Sequence, residues 1–242
     1  MQAPIINWDT TMKKTLLVAA AALGALFAGS AAMAQDSGSL SYNVAVTNNY
    51  VWRGVSQTNG KEALQGGLDY KKGVFYAGTW LSNVSFDAPK SGEHADTEMD
   101  LYLGLTPSVG DFAFDFGAIA YTYPQAGSAN IGELKAGVSH PMGKGTIGAV
   151  MYVPTETLDN PYYEVNASYP LTDKLSISGA LANNEANKVE IDGNMNGDYG
   201  VKYTTWNAGL TYALTSAVSL DLRYSQAEHM PNYTYVTLKA GF

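Results

Sequence analysis

The chain has 242 residues, and its 15% charged share is low beside the roughly 25% usual in soluble domains. A net charge of −8 excludes binding to nucleic acid through a basic face, and the absence of cysteine excludes disulfides, thiol nucleophiles and thiolate-held metals. With 25 glycines and 17 tyrosines, the composition is that of a β-rich protein with many turns.

Residues 1–11 (MQAPIINWDTT) fit no part of an export signal and read as a mis-called start, with translation beginning at Met12. Residues 12–34 read as a cleaved secretory signal peptide. Met12-Lys13-Lys14 is the basic region, TLLVAAAALGALFAGS the apolar region, and AAMA the cleavage site that would leave Gln35 first. The apolar run is shorter than the roughly 20 residues a membrane-spanning helix needs. Residues 35–242 are then a single domain.

From Leu40 onward, apolar residues recur with period two, the signature of half-buried strands. The sets are Leu40–Val46, Leu64–Tyr70, Val74–Leu81, Met99–Leu105, Phe112–Ala118 and Leu134–Val138. They continue with Ile147–Val153, Tyr163–Tyr169, Leu175–Leu181, Trp206–Tyr212, Val218–Tyr224 and Val236–Phe242. The third set carries large apolar groups on both faces, so its facing stays open. Tight links rich in Pro, Gly and Asp (71–73, 107–111, 141–145, 170–174, 214–217) alternate with longer ones (53–62, 82–97, 123–130, 154–161, 183–202, 225–232).

This layout predicts an all-β fold: a transmembrane antiparallel up-and-down β-barrel of 12 strands, with short periplasmic turns and longer extracellular loops. Closure matters because each unpaired backbone group in hydrocarbon costs several kcal/mol. A soluble β-sandwich would also alternate, but its links need not alternate in length. The final strand alternates apolar residues up to Phe242, which reads as a lipid-facing strand whose end addresses the barrel-assembly machinery. Tyr70, Phe112, Tyr169, Tyr212 and Phe242 fall at periplasmic strand ends, and Trp80, Trp206 and Tyr224 at outer ends, as two aromatic girdles among outer-membrane lipids.

The stretches NNYVWRGVSQTNGKEALQGGLDY (48–70) and GVFYAGTWLSNV (73–84) resemble the TorF family of proteobacterial porin-type proteins. Trp52-Arg53-Gly54-Val55-Ser56-Gln57, the ALQGG of Ala63–Gly67 and Tyr76-Ala77-Gly78 carry the likeness. The resemblance implies a bacterial outer-membrane barrel with a transport role and names no substrate.

By parity the polar face lines the lumen and carries Asp69, Asp100, Asp115, Glu133, Glu164 and Asp221 against Lys135, Arg223, Lys239 and Arg53. An open lumen so lined would pass small polar solutes or ions with a mild cation preference. The same charges could instead pair across the barrel and close it. Twelve strands lie between the eight whose interior side chains fill and the 16–18 that leave an aqueous channel. Arg53, beside Gly54, is a candidate constriction arm or a loop-base residue paired to a carboxylate, and the long 183–202 link is a candidate plug. The alternative function is therefore a closed or plugged barrel with a binding, structural or lipid-modifying role.

Other chemistry is thinly represented. DGNMNG (Asp192–Gly197) begins like a calcium loop, but Tyr203 stands where the bidentate Glu is needed. His94 among Glu93, Asp96 and Glu98 reads as a wet external loop. Ser139 and His140 are strand neighbours that point to opposite faces and cannot form a dyad. The reading is of a non-enzyme without metal or cofactor, and no stretch specifies an oligomeric interface.

Overall fold

The computed structural model describes residues 38–185 and 202–242. The proposed start, the signal peptide, DGNMNG and most of the 183–202 link lie outside the described residues. In chain order the strands are β1 Ser39–Thr47, β2 Val51–Trp52, β3 Val55–Ser56, β4 Ala63–Lys72, β5 Phe75–Asp87, β6 His94–Leu105, β7 Ser108–Val109, β8 Phe112–Thr122, β9 Ile131–Met142, β10 Gly145–Pro154, β11 Tyr162–Pro170, β12 Leu175–Glu185, β13 Lys202–Ala213, β14 Val218–Ala227 and β15 Tyr233–Gly241.

Twelve of these are staves of one closed antiparallel barrel. Each pairs with its neighbour in sequence, β1 pairs with β15, and β6 pairs with β8, so no edge is left open. The remaining pieces are β2 and β3, a small hairpin of their own, and β7, which pairs with the start of β8. The seam is pinned beyond its ladder. Tyr42 and Phe242 exchange backbone N–H···O bonds of 3.0 and 2.8 Å, and their rings stack 5.2 Å apart.

The alternation dictates which way the staves face. Leu40, Val44, Val46, Leu68, Leu101, Leu134, Val165, Leu181, Leu210, Leu222, Val236 and Leu238 are all exposed on the outer surface. A water-soluble barrel would turn such a belt inward, whereas a hydrocarbon-facing one turns it outward. The facing of β5, open in the sequence, is settled by its partners. Tyr76 and Trp80 point inward, and Leu81 outward. One link differs from expectation. β5 and β6 extend to Asp87 and His94 through a β-bulge between Asn83 and Phe86, so the 82–97 link shrinks to 88–93 and is no longer than the 106–111 connection.

The largest buried apolar cluster lies inside one end of the barrel. It contains Val84, Ala88, Ala95, Tyr121, Tyr123, Ala126 and Ala129, with Tyr50, Trp52 and Phe86 packed against it. The β1–β4 link is thus folded inward onto the ends of β5, β6 and β8.

Candidate functional site: a hairpin across the lumen

The inward link is organised by its own short-range chemistry. Asn49 Oδ1 accepts from the hydroxyls of Ser56 (2.6 Å) and Thr58 (3.2 Å), and the Gln57 amide donates to the Tyr50 carbonyl at 2.7 Å. This draws residues 49–58 into the β2–β3 hairpin, whose two-residue turn is Arg53-Gly54. Both turn residues have positive φ, 48° and 85°, as a type I′ turn requires. Gly54 is demanded twice over, because a Cβ there would sit 2.5 Å from Thr205 Oγ1 and 2.6 Å from Ala227 Cβ. The turn therefore touches the wall formed by β13 and β14. The Tyr203 hydroxyl donates to the Arg53 carbonyl at 3.0 Å and accepts from Asn184 Nδ2 at 2.6 Å.

From that position the Arg53 side chain reaches strands on the far side of the ring from β1. Its Nη1 and Nη2 donate to Glu133 Oε1 and Oε2 on β9 at 2.8 and 2.7 Å. The two side chains are only 6% and 3% exposed, and the Tyr121 hydroxyl adds a third donor to Glu133 at 3.1 Å. Around the guanidinium stand the rings of Tyr162 (4.1 Å), Trp52 (4.4 Å) and Tyr152 (5.0 Å). Buried charge is tolerated only when paired and fully hydrogen-bonded, and the aromatic faces add cation–π attraction. Arg53 thus lies inside the barrel and is paired to a carboxylate.

The other inward charges divide between the two sides of this bar. On the β4–β9 side, Tyr102 donates to Asp69 at 2.6 Å, Tyr76 donates to Asp115 at 2.8 Å, and Lys135 pairs with Asp115. The rings of Tyr76 and Tyr102 lie flat on the wall because Gly104 and Gly78 beneath them have no Cβ. These residues line a cavity of about 670 Å³ with Tyr50, Trp80 and Asp100. On the β10–β14 side, Glu164 accepts from Tyr162 (2.6 Å) and Asn166 (2.9 Å). Arg223 meets Asp221 at 3.0 Å and also donates to Asn207 and Ser178. A cavity of about 180 Å³ lies between Arg53 and Glu164. Lys239 is exposed, paired in register with Ser219 and Ala45.

Glu98, read in the sequence as part of a wet external loop around His94, is instead a buried residue of β6, because the strand runs back past Met99 to His94. Extending the parity of β6 back one residue would have placed it beside Asp100. Both are buried, at 2% and 9% exposure, and their carboxyl groups form a hydrogen-bonded pair.

Tyr70, Phe112, Tyr169, Trp206, Tyr212 and Phe242 are exposed, and the Tyr224 ring lies tilted against Trp206 at 5.3 Å. Trp80 is the correction: it faces the lumen, with its ring edge-on to Tyr50 at 5.4 Å. His94 lies within β6, 2.7 Å from Asp87. The His140 ring lies tilted against the outward Phe112 at 4.7 Å, while Ser139 lies one residue away along the alternating strand.

Residues 31–241 match a family described as "Bacterial protein of unknown function (Gcw_chp)". The chain belongs to that family. No curated protein matches its sequence. Among solved structures the barrel is similar to a KdgM porin, with a TM-score of 0.55 and 8% identity over 85% of this chain and 98% of the other. It is also similar to a KdgM porin in complex with disordered oligogalacturonate (TM-score 0.52, 9% identity, 85% and 96% covered). A NanC porin gives a TM-score of 0.50 and 9% identity, with 84% and 98% covered. At these identities the likeness speaks for the fold of this Gcw_chp-family barrel.

Proposed function

We propose that the protein is a porin-type channel of the Gram-negative outer membrane for passive diffusion of small polar solutes and ions. The observation that carries this reading is the inside of the barrel. Among the described residues it is lined by charged, hydroxylated and aromatic side chains, and cavities of about 670 and 180 Å³ remain on either side of the β2–β3 hairpin that crosses it. The likeness to porins of known structure supports the architecture. The finer family reading is the TorF group, supported by the hairpin sequence Trp52–Gln57. Residues 12–34 would direct export, the β15 strand ending at Phe242 would engage the barrel-assembly machinery, and the outer aromatics would sit in lipid interfaces.

The solute class follows from charge. The KdgM barrel holds an oligogalacturonate, a carboxylate-bearing chain. Here Arg53, Lys135 and Arg223 are each already paired to a carboxylate. Such a lumen favours neutral or cationic solutes over polyanions. A second reading, a plugged barrel, is favoured by one observation: the Arg53–Glu133 bar is held at both ends.

Single-channel recording of the refolded protein in a planar bilayer, with a salt gradient, separates the two. Discrete steps with a cation-favouring reversal potential are expected. A heat-modifiable, folded barrel without conductance would overturn the channel reading.

A further inference from the structure

On the β4–β9 side of the bar, the wall carries aromatic rings laid flat over glycines. A Cβ on Gly78 of β5 would meet the Tyr102 ring of β6 at 2.6 Å, and one on Gly104 of β6 would meet Tyr76 Cζ of β5 at 2.6 Å. Gly67 of β4 stands likewise beside Trp80, whose Cδ1 would lie 3.3 Å from a Cβ there. Each ring therefore rests on a neighbouring stave where only a residue without a side chain leaves room. Lying flat hides one face against the wall and turns the other to the cavity of about 670 Å³.

The rings also follow the strands in order. Trp80 pairs in register with Asp100, Gly78 with Tyr102, and Tyr76 with Gly104. Each level lies two residues from the last, a step of about 7 Å along a strand. The Tyr76 and Tyr102 centroids are 6.4 Å apart. The faces thus form a line that starts at the hairpin, where Tyr50 meets Trp80 at 5.4 Å, and runs toward Lys71, the register partner of Tyr76. Hydrogen-bonding groups edge this line. The Tyr102 hydroxyl donates to Asp69 at 2.6 Å and the Tyr76 hydroxyl to Asp115 at 2.8 Å, which also fixes both rings. Asp115 is further held by Lys135, and Asp100 is hydrogen-bonded with Glu98. An ionised carboxylate has about four acceptor positions, so Asp69 and Asp115 keep capacity beyond these bonds.

Flat aromatic faces in a row, edged by carboxylates that are each already hydrogen-bonded, suit one ligand class. The C–H groups on the two faces of a sugar ring settle on the negative face of an aromatic quadrupole. The sugar hydroxyls point outward around the rim and donate to carboxylates in charge-assisted bonds. We propose that this cavity binds neutral oligosaccharides, with Trp80, Tyr102 and Tyr76 as stacking platforms and Asp69 and Asp115 as acceptors at their edges. Acidic chains find no counter-charge there, because Lys135 is bound to Asp115 and Lys71 lies at the exposed rim. A line of platforms fits a chain of sugars better than a single one, and the cavity volume falls within the roughly 300–1,000 Å³ typical of small-ligand sites. The proposal names a solute class for the channel; its transport role rests on that reading, and its binding chemistry does not.

Calorimetric titration of the refolded barrel in detergent tests the site without requiring an open pore. The probes are maltotriose and cellotriose, two neutral trisaccharides of different linkage. Sorbitol, an open-chain polyol without ring faces, and trigalacturonate, an acidic trisaccharide, are the controls. At least one neutral trisaccharide should give saturable binding, sorbitol none, and trigalacturonate weaker binding. Tyr102→Leu removes one platform and should weaken the binding by about three- to tenfold. Gly78→Ala keeps every ring but pushes Tyr102 off the wall, and should weaken it by a similar factor. Heat-modifiable mobility of each variant on a gel checks folding, and either folded variant suffices for the test. No saturable binding of either trisaccharide, equal binding of sorbitol, equal or tighter binding of trigalacturonate, or wild-type affinity in a folded variant would overturn the proposal. The bilayer recording is read separately. Trisaccharide binding without conductance removes the channel and keeps the site, and conductance without trisaccharide binding does the reverse.

Discussion

Arg53 and Glu133 stand 80 positions apart in the chain, yet their side chains meet in a two-pronged ion pair inside the barrel. Because both are almost wholly buried, the pair defines one continuous bar from the β13–β14 wall to β9.

Breaking the bar should therefore be felt twice. Arg53→Ala leaves the Glu133 carboxylate buried without its partner, a situation that costs roughly 3–5 kcal/mol. Denaturant unfolding of the refolded barrel should show that loss, and single-channel conductance should rise as the turn leaves the lumen. Arg53→Lys keeps the charge but not the fork, and should fall between. Unchanged conductance in Arg53→Ala would mean that the hairpin does not limit passage.

Gly54→Ala should act on the same bar from its other end. The added methyl meets Thr205 and Ala227 at under 3 Å, at a backbone φ of 85°. A cost of about 1–3 kcal/mol is expected from such backbone strain. Protease cleavage within residues 49–60 should quicken in the variant, while the belt of staves stays resistant.

Selectivity should respond to Asp221. Its carboxylate takes two bonds from Arg223, at 3.1 and 3.0 Å, and one from Thr211 at 2.7 Å. Asp221→Asn leaves the Arg223 charge uncompensated in the lumen. The reversal potential in a salt gradient should move toward anions, and stability should drop by about 1–3 kcal/mol for the weakened charge-assisted bonds. No shift would place ion passage on the other side of the bar.

The outer surface makes a separate claim. Leu222 is exposed and flanked in register by Leu210 and Val236. Leu222→Arg should cost about 2–4 kcal/mol for a charge near the bilayer midplane. Refolding yield and unfolding in lipid vesicles would measure it. A neutral effect would argue that this face does not meet hydrocarbon.

Much of the barrel is written locally. Period-two alternation fixes which side chains of β1, β4, β6 and β8–β15 turn outward, because in a strand facing follows from parity alone. β5 resists that logic: Tyr76 and Trp80 are large and yet inward, for their partners are Asp115 and Tyr50 in other parts of the chain. The same blindness assigned Trp80 to a girdle. The 48–62 segment was recognisable as distinctive, but its inward course depends on Glu133, Tyr162 and Tyr203. No window of sequence contains those distances.

The bar also has a temporal meaning. Arg53 belongs to the first link of the barrel, while its sockets on β9, β11 and β13 come from far later in the chain. Contacts of such sequence separation form late, because the intervening loop entropy must be spent first. The hairpin has nothing to grip until those staves are in place. An assembling barrel would pass through a stage in which its wall exists and its crossbar does not, a leakier vessel than the finished one. Under the channel reading proposed above, seating Arg53 would be the step that narrows the finished pore, and mutations that slow it would show as extra conductance early in refolding rather than as instability of the folded protein.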